Sequence, residues 1–441
     1  MPGPDIEPVD GDRTAPASAD VVVVGGGIVG CCTALELAER GASVVLCEKG
    51  IVGGEQSGRN WGWVRLSGRD PREIDLMAAS IRLWEGMAER TGTDVGYRQS
   101  GLLAPFADPA ARRRAETWLT HIEGTQHRIG LVDEGAVRDH GYALPHEGGL
   151  LAHADGRAEP QRAAPAVARA ARARGATVLT GCAVRGLEVD GGRVSGVVTE
   201  RGRIACDRVV VAGGAWSRLL LRGAGVTLPQ LKVIGSVLRT GSVADGPRTA
   251  VRGPGFAVRP REDGGYTVAT FGANIHELTP DSLRFLPLFW PMLRAESGAW
   301  RPRLSRRFLT EWRAERRRGA NEASAFEATR VLDPAPHRPT VDGALARLAK
   351  AYPAFKDATV EQRWAGAIDV TPDAVPVIST VHGRPGLVVA TGFSGHGFGM
   401  GPGAGRLAAD LALGAPPVVE PAAFRLSRFS DGTPLQRFPG L

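Results

Sequence analysis

The sequence predicts an α/β fold in which a Rossmann-type nucleotide-binding domain is interrupted twice by an α+β domain with a mostly antiparallel sheet. Three observations carry this. The β-branched run Asp20-Val-Val-Val-Val-Gly25 is followed by a helical segment, a second apolar run and an acid, all within about 30 residues. The same glycine-punctuated strand pattern returns only at Val209 to Ser217 and at Val388 to Arg406. Between these returns lie segments without any phosphate-binding signature, where strands such as Phe256 to Arg259 and Tyr266 to Thr270 precede long helical stretches. The expected division is a disordered tail over 1–18, the nucleotide-binding domain over 19–95, 150–228 and 351–441, and the second domain over 96–149 and 229–350.

The elements follow in order. The start is rich in Pro, Gly, Asp and Ala, and lacks the basic and apolar parts of a signal peptide. Ile28 to Arg40 has the Ala, Leu and Glu content of a helix, Gly41 stops it, and Ala42 to Cys47 is the second strand, ending at Glu48. Pro71 to Arg90 reads as an amphipathic helix, because Ile74, Met77, Ile81 and Trp84 recur at helical spacing behind an Asp70 N-cap. A strand over Gly101 to Phe106 and a polar helix over Pro109 to Ile129 open the second domain. Glu159 to Arg174 is helical; Thr177 to Thr180, Ala183 to Val189 and Arg208 to Ala212 are strands, with a hairpin turn at Asp190-Gly-Gly192. Leu387 to Ala390 is the last strand, and a small-residue helix runs from about Pro402 to Leu413.

With 441 residues, 43% of them hydrophobic, the chain can bury a substantial core. Its formal charge of +7, from 54 basic and 47 acidic residues, is a mild excess carried almost entirely by arginine. The densest run, Arg301 to Arg318, holds Arg303, Arg306, Arg307, Arg313, Arg316, Arg317 and Arg318 with Phe308 and Trp312, and reads as a solvated helix face. Nucleic acid is therefore not an expected partner. Cys31, Cys32, Cys47, Cys182 and Cys206 lie in apolar segments without Cys-x-x-Cys spacing, as small buried hydrophobes do, and no residue set has metal-ligand spacing. Such usage fits the cytoplasm. No apolar stretch reaches the ~18 residues that cross a bilayer, which leaves peripheral contact as the alternative membrane mode.

Gly25, Gly27 and Gly30 form a G-x-G-x-x-G between strand and helix, with Glu48 placed to accept hydrogen bonds from ribose hydroxyls. A pyrophosphate belongs at such a helix N-terminus. The segment after Glu48 decides between NAD and FAD. A nicotinamide enzyme normally completes its sheet with successive βα units, whereas here the chain breaks into Gly53-Gly-Glu-Gln-Ser57-Gly-Arg-Asn60-Trp-Gly62. Three distant glycine segments suggest one long ligand threaded across the domain.

Val21 to Gly30, Glu48, Ser57 to Arg65, Val209-Val-Val-Ala-Gly-Gly-Ala-Trp-Ser217, Arg363-Trp-Ala-Gly366, Thr371-Pro-Asp373 with Pro376, and Gly392-Phe-Ser-Gly-His-Gly-Phe398 resemble the D-amino-acid oxidase superfamily. The likeness spans residues 20 to 415 and is greatest to the D-amino-acid dehydrogenase, glycine oxidase and sarcosine oxidase branches. It implies FAD, bound without a covalent link because no cysteine or histidine occupies the corresponding place in the last third. By the same resemblance the cofactor falls to Gly25, Gly27, Ile28, Val29, Gly30, Glu48 and Lys49, then Ser57, Arg59, Asn60, Trp61 and Gly62. Ala183, Val184, Ala212, Gly213, Trp216, Trp364 and Gly366 join it, as do Phe393, Ser394, Gly395, His396, Gly397, Phe398 and Gly399.

The substrate end departs from the pattern. The arginine that glycine oxidase-like members place after Trp-Ala-Gly is replaced here by Ile368 or Asp369, and the lysine that sarcosine oxidase-like members place after Gly-His-Gly-Phe is Gly399. Arg65 is the remaining carboxylate anchor, its alternative role being structural or toward a flavin phosphate. His396 is a candidate for orienting substrate or polarising the flavin, and Tyr266, with His276 beyond it, for a strand facing the ring. Trp61 and Trp63 are expected to pack beneath the isoalloxazine, and Asp373 to fix a turn.

The resemblance implies oxidation of the carbon–nitrogen bond of an amino acid or N-substituted amino acid by hydride transfer, giving an imine that hydrolyses. The small amine is the expected partner, with oxygen or a quinone as electron acceptor. Two alternatives are a flavin-dependent 2-hydroxy-acid dehydrogenase and a flavoprotein acting on RNA through Arg301 to Arg318.

Overall fold

Four consecutive valines make the central strand because a strand covered on both faces needs apolar side chains pointing both ways. Val21 and Val23 of Val21–Val24 enter one core and Val22 and Val24 another; Val44 and Leu46 separate from Val45 and Cys47 of Val44–Cys47 in the same way. The computed structural model describes residues 3–125, 127–272, 274–295, 300–315, 322–436 and 438. Its six-stranded sheet runs Val377–Thr380, Leu387–Thr391, Arg208–Val211, Val21–Val24, Val44–Cys47, Thr177–Leu179, parallel except for the first, edge strand.

One face is covered by the helices Ile28–Glu39, Ile74–Glu85, Pro160–Ala173 and Gly397–Leu413. The other carries the three-stranded sheet of Val184–Asp190, Arg193–Thr199 and Gly202–Ala205, whose first hairpin turns at Gly191 and Gly192 as predicted. Helix Gly397–Leu413 begins five residues before the expected Pro402. Its glycines let it pack closely on its neighbours: a Cβ on Gly405 would come 2.5 Å from the Cys32 Cβ, and one on Gly403 2.7 Å from the Leu76 carbonyl oxygen. Close approach of the three helices therefore requires their absence.

The second layer is a ten-stranded, mostly antiparallel sheet. Its longest pairing joins Leu231–Thr240 to Val360–Val370, and Gly149–Ala152 pairs with both Leu102–Pro105 and Ile129–Val132. The expected boundaries at 150 and 351 are thus corrected, since both strands complete the second sheet. The helix expected over Pro109 to Ile129 ends at Leu119, with a 3-10 turn over Thr120–Ile122, and Ile129 opens a strand.

The disordered tail is also corrected. Asp12 accepts hydrogen bonds from Val178 N (2.8 Å) and Arg172 Nη2 (2.7 Å), Glu7 pairs with Arg169, and Ser18 bridges Ala205. The tail's acids are read by arginines of helix Pro160–Ala173, an interaction composition alone does not reveal. Among the described residues no helix is long and apolar enough to cross a membrane.

Candidate flavin and substrate site

Gly25 leaves the first strand at φ +111°, and a Cβ there would come 2.5 Å from the Ala212 carbonyl oxygen. A Cβ on Gly30 would come 1.9 Å from the Gly25 carbonyl oxygen, so the third glycine serves helix-on-turn contact rather than lining the adjoining chamber. The helix N-terminus opens on a chamber lined by Gly25, Gly27, Ile28, Val29, Glu48, Lys49, Ser57, Asn60, Val184, Ala212, Gly213, Trp216, Phe393, Gly395, Gly397 and Phe398. These are the sequence-predicted cofactor residues within a lining that also includes unpredicted ones such as Glu55, Gln56, Ala367 and Asp369.

At one end, Glu48 accepts Gly26 N through Oε2 and Gly50 N through Oε1, each at 2.7 Å. Desolvation raises its carboxyl pKa against the pull of those two bonds. Ser57 Oγ accepts Ile28 N at 2.9 Å, tying the glycine loop to the helix start. Lys49 lines the chamber while its ammonium donates to Glu55, Thr329 O and Arg330 O.

A second chamber of about 390 Å³ shares Gln56, Asn60, Gly395 and Phe398 with the first. Trp61, Arg59, Ser394, His396, Gly399 and Arg65 line it. Trp61 and Trp63 meet edge to face at 5.5 Å, and both pack on Phe271, making one aromatic wall. Arg65 is 8% exposed, donates through Nη1 to Ser67 O, and has no ion-pair partner among the described residues. Nearby Asp155 is already engaged by Leu66 N and Ser67 Oγ. His396 caps helix Gly397–Leu413, with Nδ1 3.2 Å from Glu73 Oε2. Burial and the charge of Arg69 hold its pKa down at about 4 despite Glu73, so the imidazole is neutral at pH 7.

Several predicted residues lie elsewhere. Tyr266 points away: alternation along Tyr266–Ala269 sends Tyr266 and Val268 toward helix Arg338–Ala351, with the Tyr266 ring 4.8 Å from Phe355, while Ala269 faces Trp61 and Trp364. His276 is buried between Lys232 O and Ser282 Oγ, both at 2.9 Å. Trp364 donates to Arg59 O at 2.8 Å, and Arg59 binds Gly54 O, Ala365 O and Asp333, so both are structural ties. Gly366 makes room for Gln56, whose Oε1 a Cβ would meet at 2.2 Å; Gly62, at φ +79°, makes room beside Ala158 O; Ala183 is buried beside the chamber-lining Val184 without lining the chamber itself. Asp373 does fix a turn, accepting Val375 N, and it also pairs with Arg428 and Arg72.

Sequence reasoning missed four residues. Arg69, four positions after Arg65, and Arg252, on strand Ala250–Gly253, line the second chamber. Gln56 stands where the chambers meet, its Oε1 buried without a hydrogen-bond partner. Asp369 accepts Gly392 N at 2.7 Å and holds the Gly392 to Gly397 loop. The run Arg65-Leu-Ser-Gly-Arg69 carried a signal for Arg69; nothing in sequence marks Arg252.

The arrangement defines a class: a dinucleotide-binding oxidoreductase with a pyrophosphate cradle at one end and a separate, arginine-lined chamber at the other. FAD fits it on three counts, namely the glycine cradle, Glu48 at the ribose end and the unpartnered Gln56 amide at the junction. The chain belongs to the FAD dependent oxidoreductase (DAO) family, whose model matches residues 20–411. It is 27% identical to a glycine oxidase of Pseudomonas putida, over 92% of this chain and 98% of that one. Against sarcosine oxidase subunit beta of Rhizobium meliloti the identity is 28%, over 94% and 89% of the two chains. The solved L-amino acid deaminase from Proteus myxofaciens, in complex with anthranilate, superimposes with a TM-score of 0.93 at 32% identity, over 98% of this chain and 100% of that one.

Proposed function

We propose that this enzyme oxidises the carbon–nitrogen bond of an amino acid or N-substituted amino acid bound in the second chamber, with FAD held non-covalently in the first. The layer built on the six-stranded sheet holds the cofactor, and the ten-stranded sheet roofs the substrate. One observation carries the reading: the unpaired, buried Arg65 guanidinium lines a chamber that opens onto the Gly395 to Phe398 segment of the cofactor channel. Such a cation binds a carboxylate by charge-assisted, bidentate hydrogen bonds. The named relatives act on glycine, sarcosine and L-amino acids, all of which carry one.

Bound FAD supplies the two-electron acceptor for hydride from the substrate carbon. The protein's own part is positional. Arg65 holds the carboxylate, the aromatic wall of Trp61, Trp63 and Phe271 excludes water, and neutral His396 offers a ring nitrogen to a neutral amine without adding charge. Loss of hydride leaves an imine, which takes up water and releases ammonia or an amine. The acceptor is oxygen or a quinone, and the five free, buried cysteines support the cytoplasm as compartment.

The test is anaerobic flavin reduction across amino acids, N-methyl amino acids and 2-hydroxy acids. Bleaching by amines supports the reading; bleaching by hydroxy acids alone overturns it. Arg65→Ala is expected to lower kcat/KM at least about tenfold with flavin still bound, and unchanged kinetics removes Arg65 from the substrate site.

A further inference from the structure

The second chamber carries more positive charge than one carboxylate needs. Arg65, Arg69 and Arg252 all line it, and none has an ion-pair partner among the described residues. Arg69 is 3% exposed; its Nε donates to Arg65 O at 3.1 Å, and its buried Nη1 has no hydrogen-bond partner at all. Arg252 stands with its guanidinium carbon 4.3 Å from the centroid of Phe271, and Arg65 stands 5.9 Å from Trp63; the two rings are themselves 5.8 Å apart. The aromatic wall thus holds one guanidinium at each end.

Two acids lie nearby, Glu73 beside the neutral His396 and Asp155 accepting from Leu66 N, Ser67 N and Ser67 Oγ, so three guanidiniums face two carboxyl groups. Burial and neighbouring guanidiniums, Arg65 in both cases, pull Arg69 and Arg252 each down to about 9; Glu73 and Asp155 offset part of this at Arg69, whereas no acid does so at Arg252. A protein tolerates uncompensated buried charge where a ligand supplies the opposite one.

We infer that the substrate is an amino acid with a second acidic group, its α-carboxylate on Arg65 and its side-chain carboxylate on Arg252 and Arg69. The inference rests on the proposed amino-acid oxidation and narrows it to acidic substrates. A neutral amino acid fills the same space but leaves a guanidinium buried and unpaired, so discrimination comes from the unpaired charge as much as from the pair formed.

The experiment uses the FAD-loaded enzyme and matched pairs, aspartate with asparagine and glutamate with glutamine, in both enantiomers and under anaerobic conditions. The acids are expected to bleach the flavin with kcat/KM about tenfold to a hundredfold above their amides, and Arg252→Gln to bring that ratio near unity. Equal or faster bleaching by the amides overturns the inference and leaves amino-acid oxidation standing. If no amino acid bleaches the flavin, the proposed reaction falls, and perturbation of the flavin spectrum by glutarate and by butyrate decides the inference separately. Glutarate binding at least about tenfold tighter, with the advantage lost in Arg252→Gln, supports a two-carboxylate chamber; equal binding overturns it.

Discussion

At the scale of single residues, the site works through groups whose ordinary charge is altered by where they sit. His396 shows it best. Its pKa falls from 6.5 to about 4 because burial and Arg69 outweigh Glu73. The unfolded chain therefore binds a proton between these values that the folded chain does not, so the stability present above pH 6.5 is lost as pH falls toward 4. The loss amounts to at most about 3 kcal/mol, because one pKa unit corresponds to ~1.4 kcal/mol. Urea unfolding at pH 7.5 and 4.5 should show it, and His396→Gln should flatten that dependence by the same amount. The kcat/KM profile should have no limb near 6.5 from this imidazole; such a limb, abolished by His396→Gln, would show that His396 titrates normally. His396 was legible in sequence because it sits in a glycine motif, but its neutrality was not, since Glu73 and Arg69 reach it from another segment.

At the scale of elements, periodicity and glycine placement located the strand Val21–Val24, the helix Ile28–Glu39 and the hairpin after Val184–Asp190 within a residue or two of where they lie. These depend on local chemistry. Tyr266 was misplaced because alternation says that neighbours face opposite ways, without saying which way is the site. The strand Val360–Val370 joined the second sheet through a partner about 130 positions earlier, Leu231–Thr240, which no local pattern encodes. What joins the two layers is equally non-local. Arg259, 1% exposed on strand Phe256–Pro260, binds both oxygens of Glu159 at 2.7 and 3.1 Å, and its Nε donates to Trp61 O at 2.6 Å. Glu159 precedes helix Pro160–Ala173 on the six-stranded sheet, so this fork fixes the ten-stranded sheet and the Trp61 wall to that layer. Burial pushes the Glu159 carboxyl up, but the charge and hydrogen bond of Arg259 together with Arg261 and Arg157 keep it below its usual range. Arg259→Met leaves the buried carboxylate only its longer pairs, Arg157 at 3.4 Å and Arg261 at 3.9 Å, and is expected to cost about 1 to 3 kcal/mol in chemical denaturation. The double variant Arg259→Met, Glu159→Met should recover much of that loss; equal destabilisation in both would show that packing rather than the stranded charge sets the cost.

At the scale of the whole molecule, the cofactor channel is assembled from segments far apart in the chain that only the folded sheets and their cores bring together. Gly25, Glu48, Ser57, Val184, Trp216, Ala367 and Phe393 all line it, spanning nearly the whole chain and both sheets. Because only the folded chain brings them together, FAD binds the native state alone and its binding energy becomes folding energy. At a free FAD concentration 100 times Kd, unfolding should be harder by about 2.7 kcal/mol, seen as a rise in Tm when FAD is added to stripped protein. Glu48 provides the control at the ribose end. Glu48→Gln keeps the shape of the side chain, yet it swaps an acceptor for a donor facing either Gly26 N or Gly50 N, both of which bind the native carboxylate at 2.7 Å. If the carboxylate also accepts a ribose hydroxyl, loss of that charge-assisted bond, worth ~1.5 to 3 kcal/mol, should weaken FAD about tenfold or more and shrink the FAD-dependent rise in Tm. If Glu48→Gln lowered the Tm of the stripped protein while FAD still raised it by the full wild-type amount, Glu48 would be a fastener of the glycine turn alone, and the ribose would be held by other groups.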